Sequence, residues 1–173
     1  IMENRTVSAE EARETAQIVG LAALKYGDLS NQAAKDYIFD IDRFISFEGN
    51  TGPYILYTIV RIKSIQNKYR EQGGVCAPGS ILAPATEPEK ALMLKLCRYS
   101  EVLEGAFEEL APHKICQYIY ELSNDFNRFY HDTKILAEED KAKQASWIGL
   151  IDLTRQVLCA CIQVLGFEAP ERM

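Results

Sequence analysis

The segment Glu48-Gly-Asn-Thr-Gly-Pro-Tyr54 marks the sharpest structural boundary in this sequence. Gly-Asn-Thr suits a tight turn, Thr51 suits a helix N-cap, and Pro53 suits the first turn of a helix. The segment therefore predicts a helix that starts here and runs to about Glu71. Residues 73–88, which follow it, contain three glycines and three prolines and are predicted to form one long surface loop.

Apolar residues recur at helical spacing on both sides of this boundary. Ser8 opens a capping-box pattern, and small apolar residues follow it at intervals of three and four, which predicts an amphipathic helix over residues 8–26. Residues 36–47 are predicted to form a short extended piece that leads into a turn. Beyond the loop, the same spacing predicts further helices over residues 89–98, 100–110, 113–130 and 140–165.

Capping and breaking residues give these helices their predicted ends. Ser100 is the predicted cap between the first two helices after the loop, and Pro112 is predicted to end the second of them. Gly166 and, further on, Pro170 are predicted to stop the last helix. About five or more helices joined mainly by short links, with almost no alternating strand pattern, indicate an all-α helical bundle.

The chain of 173 residues is acidic, with a net charge of −6 and an isoelectric point of about 5.0. This balance argues against a protein that coats nucleic acid or an anionic membrane through its overall field, so any contact with nucleic acid must be local. The first 30 positions include four glutamates, whereas a signal peptide would be basic and then apolar. No apolar stretch approaches the roughly 18 residues of a membrane span. We expect a soluble, unexported, cytoplasmic protein without a membrane partner.

The cysteines and histidines do not form a recognisable metal or redox pattern. The five cysteines are odd in number and irregularly spaced, which favours a reducing compartment over a disulfide framework. His113 and His131 lie far apart, so a metal site would need ligands gathered from distant segments. No nucleophile elbow or phosphate-binding loop is present. We therefore expect no metal and no catalytic residue, and a Cys or His metalloenzyme is the third function class to test.

Residues 61–70 form a locally basic stretch, with four basic residues and no acidic residue. Tyr57, Arg61 and Lys68 are spaced by four and seven, so one helical face can offer cations beside an aromatic ring to a single-stranded nucleic acid. A solvated surface face explains the same residues without any binding function. Tyr118 and Tyr130 are further candidates for stacking on bases, but a helix tyrosine also commonly covers a core with its hydroxyl at the surface.

Three segments resemble a known family. Residues 36–62, from Asp-Tyr-Ile-Phe-Asp to Val-Arg-Ile, resemble the segment that joins the catalytic core of arginyl-tRNA synthetases to their helical anticodon-binding domain. Phe126-Asn-Arg-Phe-Tyr130, followed by Lys134-Ile-Leu136, is similar to the C-terminal helices of the same family. The ending from Val157 to the terminal Pro-Glu-Arg-Met173 is similar as well. The resemblance runs from about residue 8 to the last residue.

The resemblance implies that the whole enzyme activates arginine with ATP and charges tRNA(Arg), while this part grips the anticodon loop without catalysing. It implies a connector to the catalytic domain over residues 1–47 and the anticodon-binding domain over 48–173. The implied partners of this monomer are the anticodon loop of tRNA(Arg) and the catalytic domain, with ATP bound in the full enzyme and no cofactor in this fragment. Arg172 and Met173 are expected beside Tyr130. The residues expected to contact RNA are Tyr57, Arg61, Lys68, Tyr118, Tyr130, Lys134, Arg172 and Met173.

The sequence departs from the family pattern at two places. Ala145-Ser-Trp-Ile148 stands where the last long helix of the family carries Ala-Arg-Leu, so the expected arginine contact is not transferred to Trp147. The His-Ile-Gly-His and Lys-Met-Ser-Lys-Ser signatures that hold ATP are absent, and the chain opens with Ile1 instead of methionine, which is typical of a C-terminal fragment. The alternative function is a helical protein-interaction module without RNA binding, and the alternative for Met173 is a purely structural role.

Overall fold

The structure is a computed structural model that describes residues 8–75 and 81–173, and these residues form helices and loops without a strand. The elements, in chain order, are α1 (Ala9–Leu29), α2 (Ile41–Phe44), α3 (Gly52–Glu71), α4 (Glu87–Cys97), α5 (Tyr99–Glu108), α6 (Pro112–Asp132), a 3₁₀ turn (Ile135–Ala137) and α7 (Lys141–Val164). All of the helices except α2 have ten residues or more, which confirms the predicted all-α bundle. Residues 76–80 of the predicted loop lie outside the described residues.

Side-chain caps begin several helices where the sequence predicted a start. Thr51 Oγ1 accepts a hydrogen bond from the backbone N–H of Tyr54 at 3.3 Å and so begins α3. Ser8 caps α1 in the same way. Asp140 Oδ1 caps α7 and accepts from the N–H of Ala142 at 2.9 Å. Each cap satisfies an N–H that has no intrahelical partner, which stabilises the helix by about 1 kcal/mol.

Two of the predicted helix boundaries are wrong. Ser100 lies inside the first turn of α5 and makes no cap, because α5 begins at Tyr99 almost directly after α4 ends at Cys97. Pro112 does not end α5 but begins α6, since a residue without an N–H is accommodated in the first turn of a helix. The end of α5 depends instead on Leu110.

Leu110 adopts the left-handed conformation, with a φ of 50°, at the end of α5. Its N–H donates to the carbonyl of Phe107 at 3.2 Å, and the N–H of Ala111 donates to the carbonyl of Ala106 at 2.8 Å. This pair of bonds is the Schellman motif, which Gly166 forms at the end of α7 with a φ of 81°, as predicted. Leucine is strained in this conformation because its Cβ crowds the following carbonyl, whereas glycine has no Cβ.

The extended piece predicted over residues 36–47 contains a short helix. Residues 36–40 are irregular, and Asp40 then caps the single turn of α2. Phe44 is the buried residue of α2, and its ring packs directly against Gly27 of α1. A Cβ atom at position 27 would be 2.3 Å from this ring. A larger residue at position 27 would displace the Phe44 ring, so glycine allows α2 to pack closely against α1.

Helices α3, α6 and α7 form the centre of the bundle. Helix α1 packs along α3, helices α4 and α5 pack along α6, and α7 packs against both α3 and α6. Tyr26 of α1 lies in the same core, so the helix assigned to the connector packs with the rest. Side chains with no exposed surface in this core include Ile55, Leu56, Ile59 and Ile62 of α3, Ile119, Leu122 and Phe126 of α6, and Ile151 and Leu158 of α7. Each such burial contributes about 1.5–3 kcal/mol, and the shared core fixes α3 relative to α6.

Helix α7 is, among the described residues, the one helix long and apolar enough to cross a membrane, a property that the search for long apolar stretches did not reveal. Within its most apolar window, 56% of the residues are buried inside the bundle. Trp147, Ile151 and Leu158 are among its buried residues. The central helix of a bundle meets the same length and composition criteria, and we therefore interpret α7 as a core helix.

Candidate nucleic-acid interface

The outer face of α3 carries a tyrosine and an arginine in direct contact. Tyr57 and Arg61 are one helical turn apart, and Arg61 Cζ lies 4.6 Å from the centroid of the Tyr57 ring. The Tyr57 side chain is 42% exposed. A guanidinium over an aromatic face is a cation–π contact, which contributes about 0.5–1 kcal/mol at an exposed site. Helix α3 thus presents a cation and an aromatic ring together at the surface.

Tyr130 of α6 completes this arrangement from the neighbouring helix. Arg61 Cζ lies 5.5 Å from the centroid of the Tyr130 ring, so the guanidinium is close to aromatic rings on two helices. Tyr130 is 38% exposed and stacks on the buried ring of Phe126, with the centroids 6.0 Å apart and the planes inclined by 13°. The structure therefore brings together three residues that the sequence singled out, Tyr57, Arg61 and Tyr130, which we call the Arg61 cluster.

Asn127 and Tyr54 support the Arg61 cluster; sequence reasoning did not single out Asn127, and it considered Tyr54 only as one of several tyrosines that could stack on bases. Arg61 Nη1 donates a hydrogen bond to Asn127 Oδ1 at 2.6 Å. Asn127 Nδ2 donates to the Tyr54 hydroxyl at 2.9 Å, and that hydroxyl donates to Asn124 Oδ1 at 2.6 Å. Burial raises the pKa of the Tyr54 hydroxyl above its usual value, so the hydroxyl keeps its proton at neutral pH. The three-residue spacing of Asn127 and Tyr130 on one helix was the available signal.

Lys68 and Lys134 add positive charge near the Arg61 cluster. Lys68 is exposed and follows Arg61 by seven residues, which places it on the same side of α3. Lys134 is exposed just after the end of α6, where the chain leads into the 3₁₀ turn. Neither lysine has an ion-pair partner within residues 8–75 and 81–173. Both charges are therefore available to an anion from solution.

An acidic groove lies between α5 and the N-terminal half of α6. Its carboxylates are Glu101, Glu104, Glu108, Glu109 and Glu121. Two basic residues in the groove pair with two of these acids, Arg98 with Glu101 and Lys114 with Glu109, so the acids remain in excess. Asn127 and Tyr130 lie in the C-terminal half of the same helix. The excess of negative charge makes this groove unfavourable for a phosphate.

No group of three His, Cys, Asp or Glu side chains in the described part of the chain is placed to hold a metal ion. Cys116 follows His113 by three residues, a spacing that suits two ligands of one metal, but its thiol is buried in the core. Burial raises the pKa of the Cys116 thiol to about 12, and it raises the pKa of Cys161 to about 12 as well. Thiols in this state are neutral at physiological pH and are poor nucleophiles.

A family model described as the DALR anticodon binding domain matches residues 55–173, which is more than half of the chain. The chain belongs to this family. The match begins within α3 and includes the Arg61 cluster, α6 and the C-terminal tail.

Relatives of this DALR-domain chain include arginine-tRNA ligases that match it along nearly its whole length. The arginine-tRNA ligase of Agathobacter rectalis is 61% identical over 173 residues, which cover 99% of this chain and 29% of that protein. The arginine-tRNA ligase of Alkaliphilus oremlandii is 56% identical over 173 residues, which cover 100% of this chain and 29% of that protein. The chain therefore spans less than a third of the length of these curated relatives.

Solved structures of arginyl-tRNA synthetases share the fold of this DALR domain. The enzyme from Thermus thermophilus superposes with a TM-score of 0.83 and 30% sequence identity, over 96% of this chain and 28% of the enzyme. The enzyme from Plasmodium falciparum superposes with a TM-score of 0.82 and 26% identity, over 92% of this chain and 28% of the enzyme. These similarities confirm the resemblance to arginyl-tRNA synthetases that the sequence indicated.

The structure places Tyr118 in the core of the DALR domain. Its ring is 4% exposed, and its hydroxyl donates to the backbone carbonyl of Lys95 at 3.2 Å. Burial raises the pKa of this hydroxyl above its usual value. A buried ring has no free face on which a base can stack, which corrects the expectation that Tyr118 contacts RNA.

The C-terminal tail of the domain contacts the opposite edge of α3. Lys63 Nζ donates to Glu171 Oε1 at 2.7 Å and to the backbone carbonyl of Pro170 at 3.0 Å. Lys63 follows Arg61 by two residues and is therefore about 200° away around the helix. The tail consequently runs along a different side of α3 from the Arg61 cluster.

Arg172 and Met173 have intramolecular partners in this tail. Arg172 forms an ion pair with Glu11 of α1, and the partly buried Met173 packs against the core. This packing is what the structural alternative for Met173 predicts. Neither of these contacts involves Tyr130, and the placement of the two tail residues beside Tyr130 and the RNA stays a prediction.

Trp147, in the segment where the resemblance led us to expect an arginine, joins two helices. Its ring is buried edge-on against Phe129, with the centroids 6.2 Å apart, and Lys143 Nζ lies 4.6 Å from the indole. Trp147 Nε1 donates to Glu89 Oε1 at 3.1 Å, and Glu89 Oε2 accepts from the N–H of Ala85 at 2.9 Å. The side chain thus links α7 to the start of α4 and presents no cation to a ligand.

Proposed function

We propose that this chain binds the anticodon loop of tRNA(Arg) as the C-terminal part of an arginine-tRNA ligase. The observation that carries the proposal is the Arg61 cluster, in which a guanidinium lies 4.6 Å and 5.5 Å from two partly exposed tyrosine rings in a chain of the DALR family. Cations beside aromatic rings suit unpaired nucleotides, because each base has a face for stacking and each phosphate has a negative charge.

The proposed interface follows the outer face of α3 toward the end of α6. Arg61 and Lys68 contact phosphates of the loop, and Lys134 extends the same charge past the end of α6. Tyr57 and Tyr130 offer their exposed surfaces to bases. The family match favours this function over a helical protein-interaction module without RNA binding, since that alternative predicts no particular use for the Arg61 cluster.

The whole enzyme, in this proposal, activates arginine with ATP and transfers it to tRNA(Arg) through a catalytic domain that this chain does not contain. The chain itself binds without catalysing and holds no cofactor. Residues 1–47 connect to the catalytic domain, and residues 48–173 form the anticodon-binding domain. The enzyme acts as a monomer in the cytoplasm.

Exposed apolar side chains in the connector support a covering partner in the same enzyme. They lie within residues 37–47, next to α2, and are Tyr37, Ile38, Phe39, Ile41, Ile45 and Phe47. Ile38 is 86% exposed. So many large apolar groups within eleven residues are typical of a surface that another domain covers.

A filter-binding titration tests the proposed function. The purified chain is titrated against an arginine-accepting tRNA and, as a control, a non-cognate tRNA that carries the same overall charge. We expect tighter binding of the arginine-accepting tRNA, and no arginine-dependent exchange of pyrophosphate into ATP by the same preparation. Equal affinity for both tRNAs, or no binding at low salt, would contradict the assignment to the anticodon of tRNA(Arg).

A further inference from the structure

The guanidinium of Arg61 is the first member of a chain of hydrogen bonds that leads from the surface into the α3–α6 contact. Arg61 Nη1 donates to Asn127, Asn127 donates to Tyr54, and Tyr54 donates to Asn124. The three bonds measure 2.6, 2.9 and 2.6 Å. Arg61 and Tyr54 belong to α3, whereas both asparagines belong to α6, so the bonds cross between the two helices three times.

The direction of these hydrogen bonds follows from the chemistry of arginine. A guanidinium has only donors, so Asn127 must turn its oxygen toward Arg61 and its nitrogen toward Tyr54. The Tyr54 hydroxyl then accepts from Asn127 and has its single proton free for Asn124. Reversing the Asn127 amide would place its NH2 group against the guanidinium, donor against donor. The amide orientation of Asn127 is therefore determined, and its only acceptor atom faces Arg61.

A neutral acceptor holds an arginine without cancelling its charge. Arg98 and Arg155 of this chain are each held by a carboxylate three residues away, Glu101 and Asp152, and each of those ion pairs is neutral overall. Arg61 is held by an amide and has no ion pair among the residues that the structure describes. Asn127 occupies one of the five N–H groups of the guanidinium and leaves the positive charge uncompensated.

We infer that Asn127 is a positioning residue for RNA binding, which fixes the Arg61 guanidinium beside Tyr57 and Tyr130 while leaving its charge for a phosphate. This inference rests on the proposed function, because it assigns a role within the same interface. An arginine side chain that moves freely loses conformational entropy when it binds a phosphate. Because Asn127 already holds the Arg61 guanidinium in place, this entropic cost of binding is reduced.

The first test compares the unchanged 173-residue chain with Arg61→Ala, Asn127→Ala and the double variant. Arginine-accepting tRNA is titrated at several salt concentrations, and thermal unfolding is recorded for each protein. We expect Asn127→Ala to weaken binding by about tenfold. It should also lower the salt slope, which is the steepness with which the logarithm of the binding constant falls with the logarithm of the salt concentration, by up to about 0.7. The same change is expected for Arg61→Ala. The double variant should bind no more weakly than Arg61→Ala, because two residues that act as one unit are not additive.

Asn124→Ala is the matched control for Asn127→Ala. Asn124 is bonded to the same Tyr54 hydroxyl and lies on the same helix, but it does not contact Arg61. We expect its replacement to leave the salt slope unchanged. A purely structural role for Asn127 predicts instead that both asparagine variants lower the melting temperature and that neither changes the salt slope.

A second measurement needs no RNA and therefore separates this inference from the proposed function. The rotation of the Arg61 guanidinium is followed by NMR exchange in the free protein. We expect faster rotation in Asn127→Ala and unchanged rotation in Asn124→Ala. Asn127→Asp retains an acceptor but supplies a negative charge, so slow rotation should persist while the affinity for tRNA falls.

Unchanged rotation and an unchanged salt slope in Asn127→Ala, with a reduced slope in Arg61→Ala, would overturn the inference and leave the proposed interface standing. If Arg61→Ala binds tRNA as the unchanged chain does, Arg61 is not part of the interface and the inference fails with that contact. If the unchanged chain does not bind tRNA, the proposed function itself is contradicted.

Discussion

Lys68 allows the proposed RNA surface to be tested with little disturbance of the fold, because its side chain is exposed and has no ion-pair partner in the described ranges. We expect Lys68→Ala to weaken tRNA binding about equally for all anticodons, since a phosphate contact carries no sequence information. The salt slope of tRNA binding should fall by about 0.7–0.9 for the one lost phosphate contact. Lys90→Ala, on the exposed surface of α4, is the control. A salt slope that stays the same in Lys68→Ala would assign Lys68 to the solvated surface.

Leu110 offers a test of backbone strain at a single position. Its φ of 50° is unfavourable for leucine, and its side chain is 81% exposed, so little packing depends on it. We expect Leu110→Gly to raise the free energy of unfolding by about 1 kcal/mol, because glycine adopts the same conformation without a steric cost. Urea titration measures the change, and Leu94→Gly, inside α4, should lower stability by a similar amount. A loss of stability in Leu110→Gly would show that the strain is compensated elsewhere.

Side-chain contacts within one helix could be predicted from the sequence, whereas those between two helices could not. The contact of Tyr57 with Arg61 follows from a spacing of four on α3, so the sequence was sufficient to predict it. Tyr118 and Tyr130 are both tyrosines of α6, and the sequence did not distinguish between them. Tyr118 is 4% exposed, whereas Tyr130 is 38% exposed. Which side of α6 faces α3 is set by packing among several helices. The contact of Asn127 with Arg61 crosses from α6 to α3, so the spacing of Asn127 and Tyr130 on α6 was a signal but was not sufficient to predict it.

At the scale of elements, Trp147 and Glu89 connect the start of α4 to α7. We expect Trp147→Phe to lower the free energy of unfolding by about 1–3 kcal/mol, because Glu89 Oε1 then loses its donor while the carboxylate stays buried. Tyr57→Phe, which removes a hydroxyl from an exposed ring, is the matched control and should change stability by less than about 0.5 kcal/mol. Equal stabilities of the two variants would argue against a structural contribution of the indole N–H.

The ion pair between α4 and α6 gives this contact a dependence on pH. Lys95 Nζ lies 2.7 Å from Glu121 Oε2, and this contact, with a hydrogen bond from Gln117, holds the pKa of Glu121 below its usual value. A carboxyl whose pKa is lower in the folded state stabilises the fold above its unfolded pKa. That contribution is lost as the pH falls through the folded pKa.

We therefore expect Glu121→Gln to reduce stability at neutral pH and to have little effect below the folded pKa of Glu121. The difference should be well under 1 kcal/mol, because the Glu121 side chain is 41% exposed and solvent screens the pair. Urea unfolding across this pH range provides the measurement. Glu87→Gln serves as the control, since its pair with Lys90 is longer, at 4.0 Å, and more exposed. An identical pH dependence in the unchanged chain and Glu121→Gln would contradict the expected contribution.

Helix starts were predicted better than the junction between α4 and α6, for a physical reason. Thr51, Ser8 and Asp140 act through hydrogen bonds to N–H groups two or three residues away, so their effect is local. The end of α5 depends on Leu110 in a conformation that a leucine rarely adopts. Nothing in the local sequence indicates that conformation, and Pro112 was consequently assigned to the wrong helix.

At the scale of the whole molecule, the tail ties α1 and α3 together. Lys63 contacts residues 170 and 171, and Arg172 pairs with Glu11. We expect deletion of residues 170–173 to lower the melting temperature, because these contacts and the packing of Met173 are lost together. Affinity for tRNA per folded molecule is measured on the same protein. A fall in affinity at an unchanged melting temperature would instead identify the tail as a recognition element.

Positive and negative surfaces share one helix, because α6 borders the acidic groove near Gln117 and carries Tyr130 thirteen residues later. That separation corresponds to about 20 Å along the helix axis, whereas electrostatic screening at physiological salt acts over about 8 Å. We therefore expect the groove to repel an approaching polyanion, while the proposed interface near Tyr130 attracts one. If the proposed interface binds tRNA, this separation of charge should favour encounters in one orientation and should appear as a higher association rate constant at low salt.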